Sequence, residues 1–178
     1  MKLYYKSDFK DADDQRTQWL EMRKDCIGGS DISIIYGCNP WRSEFSLYLE
    51  KNRLDFDKES TLQMRLGQVT EEGLIKLYCE MNDCTAYTDT VCIIKSVEGL
   101  KMMCSPDAML DNAVLEIKHL SFGFDDEWTD RSCPDNYYLQ CQWYMHVTGI
   151  QKAVLFAASN SETRTYNFEY DDKLCEEL

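Results

Sequence analysis

The chain carries only two histidines, His119 and His146, and three prolines, at positions 40, 106 and 134. So few histidines leave little material for a histidine-based metal centre or a Ser-His-Asp arrangement. None of the nine cysteines is spaced C-x-x-C, which sets aside a zinc ribbon or clustered iron–sulfur motif and leaves free thiols in a reducing cytoplasm. No apolar run reaches transmembrane length, and the opening MKLYYKSDFKDADDQ turns polar at once, against a signal peptide. No repeat, low-complexity tract or Gly/Ser linker interrupts the 178 residues, so a single domain over 1–178 is expected. A basic surplus is lacking too. With 19 Lys and Arg against 32 Asp and Glu, the formal net charge is −13, which argues against a simple electrostatic grip on nucleic acid, whose usual footprint is a basic face.

The periodicity of what is present is informative. Residues 13–24 read as a helix. In IGGSDISIIYG, Ser30 is the expected N-cap of a short helix over 31–36 that stops at Gly37. Ser43 caps a helix from Glu44 to about Asn52. A long helix runs from about Ser60 to Met81, with Leu62, Leu66, Val69, Leu74, Leu77, Tyr78 and Met81 at three- and four-residue steps. The middle switches to alternation: TAYTDTVCIIKS, LKMMCS and NAVLEIK predict an antiparallel meander. Pro134 opens a helix to about Thr148, with Gly149 as its stop, and KAVLFAAS and TRTYNFEY follow as strands. This order predicts a mixed α/β domain whose sheet is covered by helices.

The stretch Cys104–His119, CSPDAMLDNAVLEIKH, concentrates the chemistry. Side chains alternate on a strand, so Val114, Glu116 and Lys118 share one face, and Ala113, Leu115 and Ile117 share the other, toward the core. A hairpin connection can return Asp107 to the side of Glu116. Two carboxylates and the Ile117 carbonyl are hard oxygen ligands suited to Mg²⁺, with Lys118 near a water. E-x-K alone is a common triplet, and three charges on a solvated hairpin would read the same way. Two helices add weight. GQVTEEGLIKLY sets Glu71 on one face with Gly67, Ile75 and Tyr78. Either Glu71 reaches the metal, with Gly67 clearing space for another backbone, or Glu71 and Glu72 are both solvated. YYLQCQWYMHVTG sets Gln140 and Tyr144 at i, i+4. That pairing reads as an amide that orients a water or phosphate, braced by a tyrosine, or as the aromatic side of an amphipathic helix.

In chain order, IGGSDISIIYGCNPWRSEFSLYLEK, GQVTEEGLIKLY, CSPDAM with LEIK, and YLQCQWYMHVTG resemble successive motifs of one family. It is the YqaJ/lambda-exonuclease type of the PD-(D/E)XK nuclease superfamily, the phage and prophage recombination exonucleases. The match spans roughly residues 16–158. The resemblance implies a restriction-endonuclease-like α/β core. It implies a metal-dependent DNA exonuclease, 5′→3′ on linear duplex ends, leaving 3′ single strands for recombination. A structure-specific or nicking endonuclease of the same superfamily, and a non-catalytic binding module that retains the fold, are the alternatives. The metal implied is Mg²⁺, with Mn²⁺ as a substitute, held by Asp107, Glu116, the Ile117 carbonyl and Glu71. Lys118 would position and help deprotonate the attacking water, with Gln140 and Tyr144 in support. Arg23, Ser30 and Ser105 match a pocket for the 5′-phosphate of the digested strand, and Arg42 joins them as a DNA-binding residue. Asp31 is family-like without an evident role beyond that of an acid in a helix's first turn.

The implied partners are double-stranded DNA ends, a single-strand annealing protein and further copies of the chain in a trimeric ring, with no membrane, in the cytoplasm of a bacterium or a virus-infected host cell. A ring would reconcile the net charge by enclosing a basic lumen within an acidic exterior. Arg23, Lys24, Arg42, Lys51 and Arg53 are its candidate lining, or else a scattered solvated surface. Two departures stand out. The family's SPDG is SPDA here, so Ala108 is expected in a backbone conformation that glycine reaches more easily. After the motif lysine, HLSFGFDDEW holds no Lys or Arg before Arg131, which weakens the expected selection of a 5′-phosphate.

Overall fold

A computed structural model describes residues 1–54 and 61–177. β1 (Lys2–Tyr5) and a 3-10 turn lead into α1 (Ala12–Lys24), whose Asp11 N-cap accepts from the Asp14 amide. β2 (Ile27–Gly28) runs directly into α2 (Gly29–Ile35), followed by α3 (Glu44–Lys51) and α4 (Leu62–Asn82). Then come β3 (Thr90–Val97), β4 (Leu100–Cys104), β5 (Ala108–Met109), β6 (Val114–His119) and α5 (Asp135–Thr148). β7 (Lys152–Ala158), β8 (Thr163–Glu169) and α6 (Asp172–Glu177) complete the order.

The strands form two four-stranded sheets, ordered β1-β3-β4-β2 and β5-β6-β7-β8. β6 and β7 are parallel, and α5 is the crossover that parallel neighbours require. The main core joins both sheets through α5. Its Trp143 and Met145 pack with Met102 and Cys104 of the first sheet and with Val114 and Leu155 of the second. The Trp143 indole donates to the Met103 carbonyl at 3.0 Å. The alternate side chains of β6, Leu115 and Ile117, pack with Ile75 and Tyr78 of α4. β6 is thus covered on both faces, the layered arrangement expected of a mixed α/β domain.

The meander itself is not formed. β3 and β4 make an antiparallel hairpin, but β6 pairs with β5 and β7 rather than with β4. Ser105, Pro106 and Asp107 carry the chain from one sheet to the other, and Pro106, with no amide to donate, suits a point where no ladder continues. β1, β2, β5 and α6 are too short for their periodicity to be read from sequence. The helix expected to start after Ser30 begins at Gly29, with Gly28 as its N-cap, while Gly37 takes the expected positive φ, 70°. Ser43 caps α3, accepting from the Ser46 amide. The expected start of α4 at Ser60 lies outside the described residues, and Thr61 is its cap.

The apolar stripe of α4 is the larger surprise. Of its expected positions, Tyr78 is buried and Leu74 partly so, whereas Leu62, Leu66, Val69, Leu77 and Met81 are exposed. A 3.6-residue period defines a face but not what covers it, and only the turn around Ile75 and Tyr78 meets the sheet. Among the described residues nothing lies within 4 Å of a Cβ placed at Gly67, so it clears no room for a backbone among them. Ala108 is absent from the residues with positive φ, and its methyl is buried beside Leu115 and Ile117. The alanine in SPDA is therefore unstrained.

The close approach that does require glycine is at Gly29. A Cβ there would lie 2.5 Å from Cε1 of Tyr144 and 3.0 Å from Cγ of Gln140, because α2 rests directly on α5. Gly29→Ala should therefore displace Tyr144 and cost about 1–3 kcal/mol, the usual range for overpacking. Urea denaturation measures this, and a variant as stable as the wild type would show that the contact tolerates a methyl.

Candidate active site

Asp107 and Glu116 meet across the β5–β6 hairpin. The Ile117 amide donates to Asp107 Oδ2 at 2.7 Å. Glu116 lies in mid-strand with 2% of its surface exposed. Its Oε1 accepts from Gln140 Nε2 at 2.7 Å and from the Lys118 ammonium. Gln140 also donates to the Tyr144 hydroxyl at 2.9 Å, and that hydroxyl donates to the Ser105 carbonyl at 3.0 Å. Asp107, Glu116, Lys118, Gln140 and Tyr144 are thus brought together, the last two by their i, i+4 spacing on α5. The neighbouring glutamine faces elsewhere: Gln142 donates to the Glu169 carbonyl at 2.9 Å and accepts from the Asp171 amide at 3.0 Å. It ties α5 to the end of β8.

Glu116 Oε2 is buried and has no hydrogen-bond partner among the described residues. Buried polar atoms almost always have one, and a bare carboxylate oxygen beside a second carboxylate is a seat for a hard cation. The electrostatics point the same way. Burial first, then Glu116, holds the Asp107 carboxyl well above the usual carboxylate range, with Lys118 opposing. Glu71, half-buried on α4, is raised by burial and then by Glu116, against the pull of Lys118 and Lys6. Burial alone would lower the Lys118 ammonium, but Glu116 and Asp107 outweigh it and hold that group above its ordinary value. Asp107 and Glu71 are both pushed toward the neutral form by burial and by Glu116, a penalty that a divalent cation seated among them would relieve. An all-oxygen donor set of Asp107, Glu116 and the Ile117 carbonyl fits Mg²⁺ by hardness. Among the described residues no three His, Cys, Asp or Glu side chains stand close enough together to hold a metal. Glu71 is therefore within electrostatic reach of the pair without being gathered into it.

Arg23, Ser30 and Ser105 assemble around Trp19, which the sequence alone did not single out as a site residue. Arg23 Nη2 donates to Ser30 Oγ at 3.0 Å, and its guanidinium lies 5.4 Å from the Trp19 ring. Trp19 Nε1 donates to Ser105 Oγ at 2.9 Å. Asp31 acquires a role: fully buried, it takes Lys51 at 2.6 Å, Arg23 at 3.5 Å and the Gly28 amide at 2.9 Å. It anchors Arg23 and the start of α2 together.

Arg42 is linked to this group through a shared acid. It is paired with Glu50 at 2.6 Å, and Glu50 also takes Arg23 at 3.5 Å. Lys24 pairs with Glu21, Lys51 with Asp31 and Arg53 with Asp25. All the cations expected to line a basic lumen are thus matched by acids of their own chain. Lys6 and Arg16, by contrast, make no ion pair among the described residues. They line a cleft of about 1080 Å³ with Trp19, Glu71, Ser105 and Asp107, and the Arg16 guanidinium lies 5.0 Å from the Trp19 ring. Sequence reasoning missed both. Arg16 is an ordinary exposed helix cation in sequence, and Lys6 reaches the cleft only because β1 pairs with the distant β3.

Asp31→Ala would leave Lys51 without its counter-charge and Arg23 with Glu50 alone, and should cost about 3 kcal/mol. Asp31→Asn should cost less, since an amide oxygen still accepts hydrogen bonds. Urea unfolding of the two variants checks the order.

The comparisons with known proteins agree with this architecture. The family model described as the YqaJ-like viral recombinase domain matches residues 18–151. The chain is 30% identical over 143 residues to the uncharacterized protein YqaJ of Bacillus subtilis strain 168, which is 79% of this chain and 44% of that protein. It is 29% identical over 76 residues to protein D345L of African swine fever virus, 40% of this chain and 22% of that one. The chain therefore spans less than half the length of these curated relatives. In fold it is similar to the alkaline exonuclease LHK-Exo of Laribacter hongkongensis, with TM-score 0.67 and 19% identity over 90% of this chain and 86% of that one. It is similar also to a phage related exonuclease from Haemophilus somnus 129PT, with TM-score 0.61 and 12% identity over 88% of this chain and 90% of that one. The fold is that of the PD-(D/E)XK nucleases.

Proposed function

The chain belongs to the YqaJ-like viral recombinase domain family, and on that premise we propose that it is a metal-dependent DNA exonuclease. It works 5′→3′ from linear duplex ends and leaves a 3′ single strand for recombination. The observation that carries this reading is Glu116, held on one oxygen by Gln140 and Lys118 and bare on the other, with Asp107 fixed beside it. Mg²⁺, or Mn²⁺ in its place, bound by Asp107, Glu116 and the Ile117 carbonyl would supply Lewis-acid stabilisation of charge on the phosphate and the leaving oxygen.

The chain's own groups do the rest. Lys118, kept charged by its two carboxylates, donates a hydrogen bond that orients the attacking water. Gln140 holds the Glu116 carboxylate in position, and Tyr144 holds Gln140. The water oxygen bonds to phosphorus as the P–O3′ bond breaks, the water giving up a proton to solvent and the leaving O3′ taking one from it. A nucleotide with a 3′-hydroxyl is released, and the shortened strand carries a new 5′-phosphate for Arg23, Ser30 and Ser105 to receive. Lys6 and Arg16, the unpaired cations of the cleft, take further phosphates, which is how a chain of net charge −13 holds DNA. A single-strand annealing protein would receive the 3′ strand. If copies close into a trimeric ring, its basic lining draws on Lys6 and Arg16 rather than on cations already paired.

Incubating 5′-phosphorylated linear duplex and covalently closed circular duplex with Mg²⁺ tests the reading. The linear DNA should disappear and the circle persist. Lys118→Ala should slow cleavage by at least about 100-fold, the scale of losing one positioned hydrogen-bond donor at the reacting centre, while still binding duplex. Nicked circles would instead assign an endonuclease to this site, and no activity on either substrate would favour a binding module.

Metal binding has an independent readout. Mg²⁺ should raise the wild-type melting temperature, by the equivalent of about 2.7 kcal/mol at 100 times its Kd, and Asp107→Ala should remove the shift. For the cleft cations, Lys6→Ala with Arg16→Ala should lower the slope of log K against log salt by about 2, one unit for each phosphate left without its cation.

A further inference from the structure

We infer that Trp41 is a stacking platform for one unpaired nucleobase of the strand being digested, within about three nucleotides of the scissile phosphate. This deepens the nuclease reading and rests on it.

Trp41 is 70% exposed, an unusual place for so large an apolar side chain, and it does not sit on a loose tip. Asn39 Oδ1 accepts from the Trp41 amide at 3.0 Å and from the Arg42 amide at 2.9 Å. Asn39 Nδ2 donates in turn to the hydroxyl of buried Ser33 on α2 at 2.9 Å. Arg42, the next residue, is tied to Glu50 of α3. The backbone on both sides of the indole is therefore fixed, so a ligand that lands on the ring does not have to order it first.

The position matters as much as the rigidity. The Trp41 ring lies 6.4 Å from the ring of Tyr137, and the Tyr137 ring lies 5.3 Å from the Lys118 ammonium. Two such steps separate the exposed indole from the motif lysine. At about 3.4 Å of rise per nucleotide of one duplex strand, that is a reach of about three nucleotides. Phe45 and Tyr48, three residues apart on α3 and likewise exposed, continue the aromatic character beyond Trp41.

A nucleobase is the occupant that fits both the chemistry and the charge. An enzyme that consumes one strand of a duplex must part its last nucleotides from the complement. Each parted base then presents a bare π-face, for which an indole is a strong partner. Stacking is uncharged, so it supplies affinity without the basic surplus that this chain lacks. Arg42, next to Trp41, is already committed to Glu50, so this part of the surface is better suited to a base than to a phosphate.

Tryptophan fluorescence reads the contact by difference, because Trp128 and Trp143 are buried and Trp19, which lines the cleft, contributes alike with and without Trp41→Phe. A forked duplex with a 5′-phosphorylated frayed end is titrated, with Mg²⁺, into Lys118→Ala protein so that the DNA is not consumed. The same titration is repeated with Trp41→Phe and Trp41→Ala added, and with an abasic site at each of the first four nucleotides. DNA should quench the indole, and Trp41→Phe should lose that quenching while keeping most of the affinity. Trp41→Ala should weaken binding about tenfold, the scale of one base–aromatic stack. One abasic position should reproduce that loss and add nothing further to Trp41→Ala. Equal affinity of Trp41→Ala for the intact fork, with DNA still bound, would overturn the stacking role alone. So would a change in sedimentation mass on Trp41→Ala with DNA binding unchanged, which would make the ring a contact between copies. Failure of the wild-type protein to bind or digest any DNA would instead remove the nuclease reading and this inference with it.

Discussion

Burying the Glu116 carboxylate is the constraint on which the rest of the structure turns. A charge taken out of water without partners is far too costly to keep. One donor is local: Lys118 sits two residues along the same face of β6. The other is Gln140, and it must come from another element. To deliver it, α5 has to lie close over β6, and to lie there it has to rest on α2 at Gly29, where a Cβ would strike Tyr144. The glycine in IGGS and the glutamine in YLQCQWY are thus parts of one packing solution to one buried charge, and the oxygen left bare is where that solution remains open to a cation.

The crossing between the two sheets does the complementary work in three residues. Ser105 accepts from the Trp19 indole through its hydroxyl and from the Tyr144 hydroxyl through its carbonyl. Pro106 carries no amide that would need a ladder partner. Asp107 accepts the Ile117 amide. One short segment therefore ties α1, α5 and β6 together. A shift of any of these elements would be felt at the carboxylate pair. Such overdetermination is what holds a constellation of charged groups in a fixed geometry.

The acidic balance of the chain also acquires a layout. Arg23, Lys24, Arg42, Lys51 and Arg53 are matched by neighbouring acids, so they stabilise α1, α2 and α3 locally rather than project a field. Lys6 and Arg16, which make no ion pair among the described residues, line the cleft with Glu71 and Asp107. Net charge describes the whole molecule at long range, but a strand threading a cleft experiences the nearest few groups, since salt screens exposed charges beyond about 10 Å.

Much of this was legible in the residues themselves. Alternation put Glu116 and Lys118 side by side, and i, i+4 spacing put Gln140 and Tyr144 on one face. Capping residues such as Ser43 and stop glycines such as Gly149 set helix limits to within a residue or two. All of these depend on groups within a few positions of one another, where the backbone's own geometry decides. The rest depended on which distant segments meet. The meander dissolved because LKMMCS and NAVLEIK found better partners in different sheets, and most of the apolar stripe of α4 stayed uncovered because only one of its turns reaches the sheet. Trp19, Lys6 and Arg16 gained their places, and Arg42 and Arg23 came to share Glu50, through interactions made across the fold. Local pattern determined the elements and the chemistry each could carry. Burial summed over the whole chain decided which elements faced one another, because that free energy belongs to no single stretch of sequence.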